Sequence, residues 1–242
     1  MKEIIAMHGW AGNGNQWSNW IDFFVSSDWE WQTAERGYGN INPHKPRWLN
    51  NTNQKGLKKV AICHSLGIHL IDKEILSSAT HIVLINCFTR FIPIGKENRS
   101  IRLALKRMMN TINTSSEPSM LRKFHIKSYK PFDISVNLTE SKLLYISDSG
   151  RLKLKNDLQL LMNSDSLPIG FNPKSKVLVI DSKKDSILAS QTKENLFNDL
   201  INYLESAPTK INLETEGHAI SDFNNIKKIK LWLEFDHAKN LV

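Results

Sequence analysis

The sequence predicts an α/β protein with a mainly parallel sheet of about six strands and helices on both faces. Two patterns predict this class. Short apolar runs rich in β-branched residues recur along the chain, as expected for strands that are buried on both faces. Segments with a helical spacing of apolar residues separate these runs, and parallel strands need such crossover connections. At 242 residues the chain is long enough to bury one large core.

The predicted strands differ in how strongly apolar they are. The runs at 60–63 and 82–85 are wholly apolar, so we expect them at the centre of the sheet. The run at 29–33 alternates Trp with Glu and Gln, which predicts a more exposed strand. The six predicted strands are residues 2–7, 29–33, 60–63, 82–85, 177–180 and 209–213.

Helices are predicted where apolar residues recur at intervals of three and four. In the core these segments are 67–77, 192–205 and the C-terminal segment from Asp222. The stretch 88–173 contains no convincing strand and is too long for a plain loop, so we expect a helical lid inserted before the strand at 177–180. Its helical patterns lie at 98–112, 119–130 and 152–163. The core is then formed by residues 1–87 and 174–242.

Composition excludes several classes of protein. Hydrophobic residues make up 40% of the chain, but the longest apolar runs are far too short to span a bilayer. His8 and Gly9 interrupt the N-terminal apolar run before the core of a signal peptide could form, so we expect a cytoplasmic protein. Cys63 and Cys87 are expected to be free thiols, and no metal-ligand spacing is present.

The segment Cys63-His64-Ser65-Leu66-Gly67 follows a predicted central strand. It is close to the G-x-S-x-G nucleophile elbow, a sharp strand-to-helix turn that lifts a serine hydroxyl above the sheet. Gly67 satisfies the need for a small residue, whereas Cys63 replaces the first glycine. We predict Ser65 as a nucleophile, with an ordinary helix-capping serine as the alternative. His64 occupies the variable position and is expected to line the pocket.

A serine nucleophile needs a base and an acid that orients it, and in this type of site they follow in the order acid, then histidine. Asp185 follows the strand at 177–180, and His218 follows the strand at 209–213. Ligand sites of parallel sheets lie at the carboxyl ends of the strands, so we expect both side chains near Ser65. Asp181, four residues before Asp185, is the competing acid.

The glycine-rich segment MHGWAGNGNQW at residues 7–17 follows the first strand. A tetrahedral intermediate of acyl transfer needs two waiting backbone N–H donors. We predict that they come from Leu66, directly after the serine, and from Trp10 in this early loop. The segment could also suggest a phosphate cradle, but it has no P-loop lysine and does not fit G-x-G-x-x-G.

Taken together, these motifs make the chain resemble an α/β-hydrolase. His-Gly-Trp at 8–10, His-Ser-Leu-Gly at 64–67 and Glu-Gly-His-Ala at 216–219 resemble the pimeloyl-acyl-carrier-protein methyl ester esterases of biotin synthesis. The resemblance implies a serine carboxylesterase that needs no metal or organic cofactor and acts on a methyl ester carried by acyl carrier protein. That family usually begins with an antiparallel hairpin, whereas this chain starts at the strand before the oxyanion loop, so a trimmed sheet is expected.

The net charge is +8, and the basic excess is concentrated in the predicted lid. A positive surface favours an acidic partner, here the carrier protein that the resemblance implies; a merely solvated helix face is the alternative. The docking candidates are Arg99, Arg102, Lys106, Arg122, Lys123 and Lys127. The candidates for lining an acyl channel, or for simply packing the lid onto the core, are Met108, Met109 and Leu121.

Two other functions stay open at the level of the sequence. One is a small-molecule carboxylesterase or acyl thioesterase with the same triad. The other is a non-catalytic, basic binding protein of the same fold, although a pure binder has no need of Ser65, Asp185 and His218 in order. We expect no nucleic-acid partner and favour a monomer.

Overall fold

The computed structural model describes residues 2–49, 56–96, 98–133, 145–220 and 222–235. Residues 97 and 134–144 of the predicted lid lie outside the described residues. So do residues 1, 50–55, 221 and 236–242 of the predicted core.

The centre of the molecule is a six-stranded sheet. Its strands are β1 (Lys2–Met7), β2 (Trp29–Ala34), β3 (Lys58–His64), β4 (His81–Ile85), β5 (Lys176–Ser182) and β6 (Thr209–Leu213). They lie side by side in the order β2-β1-β3-β4-β5-β6, and each neighbouring pair is parallel. All six predicted strands are confirmed. β2, predicted to be the more exposed, lies at one edge of the sheet.

The described residues contain eight α-helices. They are α1 (Ser18–Val25), α2 (Gly67–Leu70), α3 (Lys73–Ser78), α4 (Asn98–Thr111), α5 (Glu117–Tyr129), α6 (Asp148–Asn163), α7 (Ser190–Tyr203) and α8 (Phe223–Phe235). The five helices from α4 to α8 lie where apolar spacing predicts them. A short 3-10 helix at Gly14–Trp17 and the adjoining α1 have no counterpart among the predictions.

The prediction of a single helix over 67–77 is wrong, because the segment is broken into α2 and α3. Ile71 is extended, with a ψ of 148°. The Asp72 side chain then accepts a hydrogen bond from the Glu74 N–H and caps α3. Aspartate is among the preferred residues at a helix N-cap, so it starts a new helix within a segment whose apolar spacing suggests one continuous helix.

Alternate strand residues enter two apolar layers, one on each face of the sheet. Ile4 and Ala6 of β1 pack with α1 and α8, in the layer that contains Trp17 and Trp232. The alternate residues Ile5 and Met7 pack with α2, α3 and α7 on the opposite face. This alternation follows from the two-residue period of a strand. The loops after β3, β5 and β6 begin at the carboxyl edge of the sheet.

A third apolar cluster covers that carboxyl edge. Trp10 and Leu66, from the loops after β1 and β3, pack there with Leu105 of α4, Leu121 of α5 and Leu158 of α6. The helices between β4 and β5 therefore lie over the part of the sheet where the candidate catalytic residues are found. In the part of the chain that is described, no helix has the length and apolar character needed to cross a membrane.

Candidate active site

Ser65 lies in a strained turn between β3 and α2. Its φ is +56°, a left-handed value that a non-glycine residue adopts only where the surroundings impose it. The Ser65 N–H donates to the Ile85 carbonyl at the end of β4, at 2.9 Å. A Cβ atom at Gly67 would lie 2.6 Å from the Met7 carbonyl oxygen, so close packing against the end of β1 demands glycine there. The local geometry is that of a nucleophile elbow.

Cys63 does not prevent this turn. Its side chain is fully buried in the apolar layer that α2, α3 and α7 form with the sheet. Burial raises the pKa of the Cys63 thiol well above its ordinary value, and the side chain is therefore an inert part of the core.

Asp185 and His218 meet across the ends of β5 and β6. His218 Nδ1 lies 2.9 Å from Asp185 Oδ2, and both side chains are almost fully buried. The other carboxylate oxygen of Asp185 accepts the N–H groups of Ile187 and Leu188, at 2.7 and 3.1 Å. The carboxylate is thus held by its own loop and orients the imidazole, as the acid of a Ser-His-Asp triad does.

Opposing influences act on the Asp185 carboxyl group. Burial favours the neutral acid, but the positive charge and hydrogen bond of His218 and the Lys193 ammonium favour the carboxylate. The net result is a pKa lowered from 3.8 to about 2. Asp185 is therefore ionised in the folded protein at ordinary pH. Its negative charge can stabilise an imidazolium at His218.

Asp181, the competing acid, has a different partner. It belongs to β5, and its Oδ2 lies 2.8 Å from the Lys210 ammonium of β6. Since Lys210 occupies one of its oxygens and His218 contacts Asp185 instead, the described contacts favour Asp185 as the orienting acid.

The loop after β1 lies directly against the serine. A Cβ atom at Gly9 would lie 2.9 Å from Ser65 Cβ and 3.4 Å from Ser65 Oγ, so only glycine allows this approach. Among the described residues, neither the Trp10 N–H nor the Leu66 N–H has a hydrogen-bond acceptor, although both residues are buried. Buried N–H groups are nearly always paired, so two unpaired ones beside a serine are suited to receive an oxyanion.

His8 and Glu35 contact the backbone of the loop after β1. His8 Nδ1 is 2.8 Å from the Gly9 carbonyl oxygen, which can only accept, so Nδ1 carries a proton. Glu35 Oε1 lies 3.2 Å from His8 Nε2 and accepts the Gly37 N–H, and its Oε2 accepts the Gly14 N–H. Sequence reasoning missed Glu35. Its position directly after β2, at the same sheet edge as the other site residues, is the signal that could have indicated it.

One ring nitrogen of His64 contacts the backbone of the candidate base. Its Nε2 lies 2.9 Å from the His218 carbonyl oxygen, and its ring centroid is 5.0 Å from that of His218. Asn86, which follows β4 and which sequence reasoning also missed, contacts the same carbonyl at 2.8 Å. Polar side chains thus bind the backbone of the candidate base as well as its ring.

The predicted lid residues fall into two groups. Leu121 is buried, and Met108 and Met109 are partly buried, in the cluster that also contains Trp10 and Leu66. Most of the basic candidates are exposed on α4 and α5 and one, Arg122, is half-buried. The exposed candidates are Arg99, Arg102, Lys106, Lys123 and Lys127. The described residues contain no group of His, Cys, Asp and Glu side chains arranged to hold a metal ion.

The chain matches no protein-family model and no curated protein sequence. Its structure is similar to an esterase from Exiguobacterium antarcticum (TM-score 0.68, 14% identity, 97% of this chain and 92% of that chain covered). It is also similar to a thermophilic esterase from Thermogutta terrifontis (TM-score 0.65, 12% identity, 98% and 91% covered). A third similar structure is the bottromycin epimerase BotH (TM-score 0.56, 12% identity, 90% and 84% covered).

The chain therefore has an α/β-hydrolase fold, and the predicted fold class is confirmed. An epimerase stands beside esterases among the similar structures, so the fold alone does not determine the reaction. The reaction has to be argued from the side chains at the carboxyl edge of the sheet.

Proposed function

We propose that this protein is a serine carboxylesterase that works through an acyl-enzyme intermediate. The observation that carries the proposal is the contact between His218 Nδ1 and Asp185 Oδ2, at the sheet edge where Ser65 occupies its strained turn. An acid, a base and a serine that follow three different strands in this order serve nucleophilic catalysis and have no evident use in a binding protein.

The chemistry follows from the roles of these groups. Ser65 Oγ attacks the ester carbonyl carbon while His218 Nε2 takes the hydroxyl proton. The carbonyl oxygen becomes an oxyanion, which the Trp10 and Leu66 N–H groups receive. The intermediate collapses, and His218 returns the proton to the departing alkoxide, which leaves as an alcohol. Water then attacks the acyl-enzyme by the same route, releasing the acid and restoring the Ser65 hydroxyl.

A fluorophosphonate probe, which reacts covalently with activated serines, tests this proposal. The wild-type protein should be labelled at Ser65, and Ser65→Ala should not be labelled. Ser147 provides a matched control, because its hydroxyl caps α6 by accepting the Gly150 N–H, far along the chain from the triad. Ser147→Ala should therefore label normally. A folded wild-type protein that resists the probe would leave the non-catalytic binding protein as the better description.

For the substrate, the proposal is a methyl ester of a pimeloyl chain carried on acyl carrier protein. Two features support it. The motifs at 8–10, 64–67 and 216–219 resemble the esterases that act on this substrate. The exposed basic side chains of α4 and α5 lie on helices whose apolar sides pack over the Ser65 loop, so an acidic carrier docked there would be close to the site. Methanol would be the alcohol released.

The similarity to solved esterases favours one alternative, a hydrolase of small free esters. To separate the carrier-protein substrate from the small-ester alternative, kcat/KM for the carrier-bound methyl ester is compared with kcat/KM for free dimethyl pimelate at rising salt. A carrier-dependent enzyme should prefer the first substrate and lose that preference as salt screens the basic surface. Equal values that ignore salt would support the small-ester alternative. Rescue of a biotin auxotroph that lacks its esterase tests the same substrate in a cell.

A further inference from the structure

The carbonyl oxygen of His218 accepts two buried side-chain donors. His64 Nε2 approaches it at 2.9 Å, and Asn86 Nδ2 approaches it at 2.8 Å. His64 ends β3 and Asn86 follows β4, whereas His218 lies beyond β6. Both distances are those of ordinary hydrogen bonds, so two separate elements converge on one backbone atom of the candidate base.

Burial and hydrogen bonds hold the Asn86 side chain in this position. The residue is fully buried, and its φ of +46° is a left-handed value that is uncommon away from glycine. Its Oδ1 accepts the Ser182 N–H at 2.8 Å, which fixes the orientation of the amide and turns Nδ2 toward His218. Nδ2 also lies 3.0 Å from Ser182 Oγ and 3.2 Å from the Gly217 carbonyl. One amide therefore joins the end of β4 to the strand that leads to Asp185 and to the loop of His218.

His64 adds a link to the nucleophile itself. A carbonyl oxygen can only accept, so His64 Nε2 carries the proton and donates to His218. His64 is adjacent to Ser65 in the chain, and a single hydrogen bond thus connects the nucleophile elbow with the backbone of the base. Burial, together with the nearby His218, lowers the pKa of His64 to about 3, which keeps its ring neutral beside a histidine that must accept a proton.

We propose that His64 and Asn86 are positioning residues that fix the backbone of His218 through its carbonyl oxygen. Held there, the imidazole keeps its Nδ1 contact with Asp185 and presents Nε2 to Ser65. Neither residue contacts the reacting atoms in this role. The inference rests on the proposed esterase function, since only a catalytic base needs such exact placement: a shift of about 1 Å costs about 10²-fold in rate.

The first test compares His64→Leu with His64→Gln. Leucine removes the donor, whereas the glutamine amide can place an N–H near the position of the histidine Nε2. We expect His64→Leu to lower kcat on a p-nitrophenyl ester by about 10- to 100-fold with little change in KM, and His64→Gln to recover most of the loss. Active-site titration corrects kcat for the folded fraction. A glutamine variant no better than the leucine variant would mean that packing, not the hydrogen bond, matters.

His69→Leu is the matched control. His69 Nε2 also bonds to a backbone carbonyl, that of Phe88 at 2.8 Å, but it makes no described contact with His218. Its kcat should stay close to that of the wild type. A loss as large as that of His64→Leu would overturn the inference, because it would show that any histidine–carbonyl bond in this region has the same effect.

A second variant and a spectroscopic readout complete the test. Asn86→Gly removes the amide but tolerates the left-handed φ, so its backbone remains compatible with the fold. The proton between His218 Nδ1 and Asp185 gives a downfield NMR resonance, which we expect to broaden or shift in His64→Leu and Asn86→Gly. An unchanged resonance in both variants would overturn the inference. This readout needs no activity, whereas a wild-type protein that is not labelled at Ser65 would instead refute the esterase proposal.

Discussion

The carboxyl edge of the sheet and the outer surface of α4 and α5 use charge in opposite ways. At the edge, carboxylates are buried and paired: Asp185 with His218, and Asp157 with Arg36. On the outer surface, Arg99 and Lys106 are exposed, and no carboxylate among the described residues pairs with them. Buried pairs hold geometry because leaving one partner alone is costly, whereas exposed charges act at a distance and are screened.

The helices between β4 and β5 also differ in how they are attached to the core. α6 is fastened to the core: Asp157 accepts two hydrogen bonds from Arg36, at 2.8 and 2.6 Å, and one from the Tyr38 hydroxyl at 2.7 Å. The Leu154 carbonyl accepts the Trp10 indole N–H at 3.0 Å. In α4, by comparison, Arg102 and Thr111 make their hydrogen bonds within the helix itself. The predicted lid thus contains a helix that serves as a wall of the site.

Removing the buried charge of Asp185 should have the largest effect. Asp185→Asn keeps the size of the side chain but removes the negative charge that orients and stabilises protonated His218. We expect kcat on a simple ester to fall by about 10⁴-fold, with Ser65 labelling slowed in parallel. Asp181→Asn is the matched change at the competing acid. A larger loss for Asp181→Asn than for Asp185→Asn would reverse the assignment of the orienting acid.

Breaking the attachment of α6 should cost stability. Asp157→Ala leaves the Arg36 guanidinium and the buried Tyr38 hydroxyl without their shared partner. Because Arg36 retains some access to solvent, we expect a loss at the low end for buried pairs, about 3 kcal/mol in the free energy of unfolding measured with urea. Asp148→Ala, at a fully exposed side chain in the first turn of the same helix, should leave the unfolding midpoint unchanged. Similar unfolding midpoints for both variants would contradict the prediction that the buried charge contributes more to stability than the exposed one.

Lowering the pH should destabilise the folded protein because His64 is buried in its neutral form. Its pKa is 6.5 in an ordinary setting and about 3 in the folded protein, so unfolding takes up a proton between these values. The free energy of unfolding should therefore fall by up to about 1.4 kcal/mol for each pH unit below 6.5, and the loss should level off near the folded pKa. His64→Gln should show a shallower decline in urea unfolding than the wild type, while His44→Gln, at an exposed histidine, should not. Parallel curves for all three proteins would contradict the prediction.

Changing the exposed charges should have the smallest and most selective effect. Replacing Arg99, Lys106 and Lys123 by glutamine should lower kcat/KM for the carrier-bound ester by about tenfold at low salt, because steering is lost. The same variant should hydrolyse dimethyl pimelate as the wild type does and should unfold at the same temperature. A matched triple replacement of Lys174, Lys176 and Lys227, which are exposed at the opposite strand ends or on α8, controls for net charge alone. Equal losses in both triple variants would point to net charge and not to a docking surface.

Much of the fold follows from local patterns. Each strand is recognised by its own apolar run, and the parallel arrangement brings the ends of β3, β5 and β6 to one edge whatever the details of packing. Ser65, Asp185 and His218 could therefore be proposed together from the sequence. The break at Ile71 was missed because apolar spacing continues across it, while a capping aspartate competes with that spacing locally.

What the sequence by itself determined is the order of the strands along the chain and the residues that must lie at their carboxyl ends. Only the tertiary structure decided the partners of those residues: Asp181 with Lys210, Asp157 with Arg36, and both His64 and Asn86 with the His218 carbonyl. The physical reason is distance along the chain. Periodicity reports which face of an element is buried, but a hydrogen bond between residues more than a hundred positions apart depends on how the elements pack, which no local pattern records.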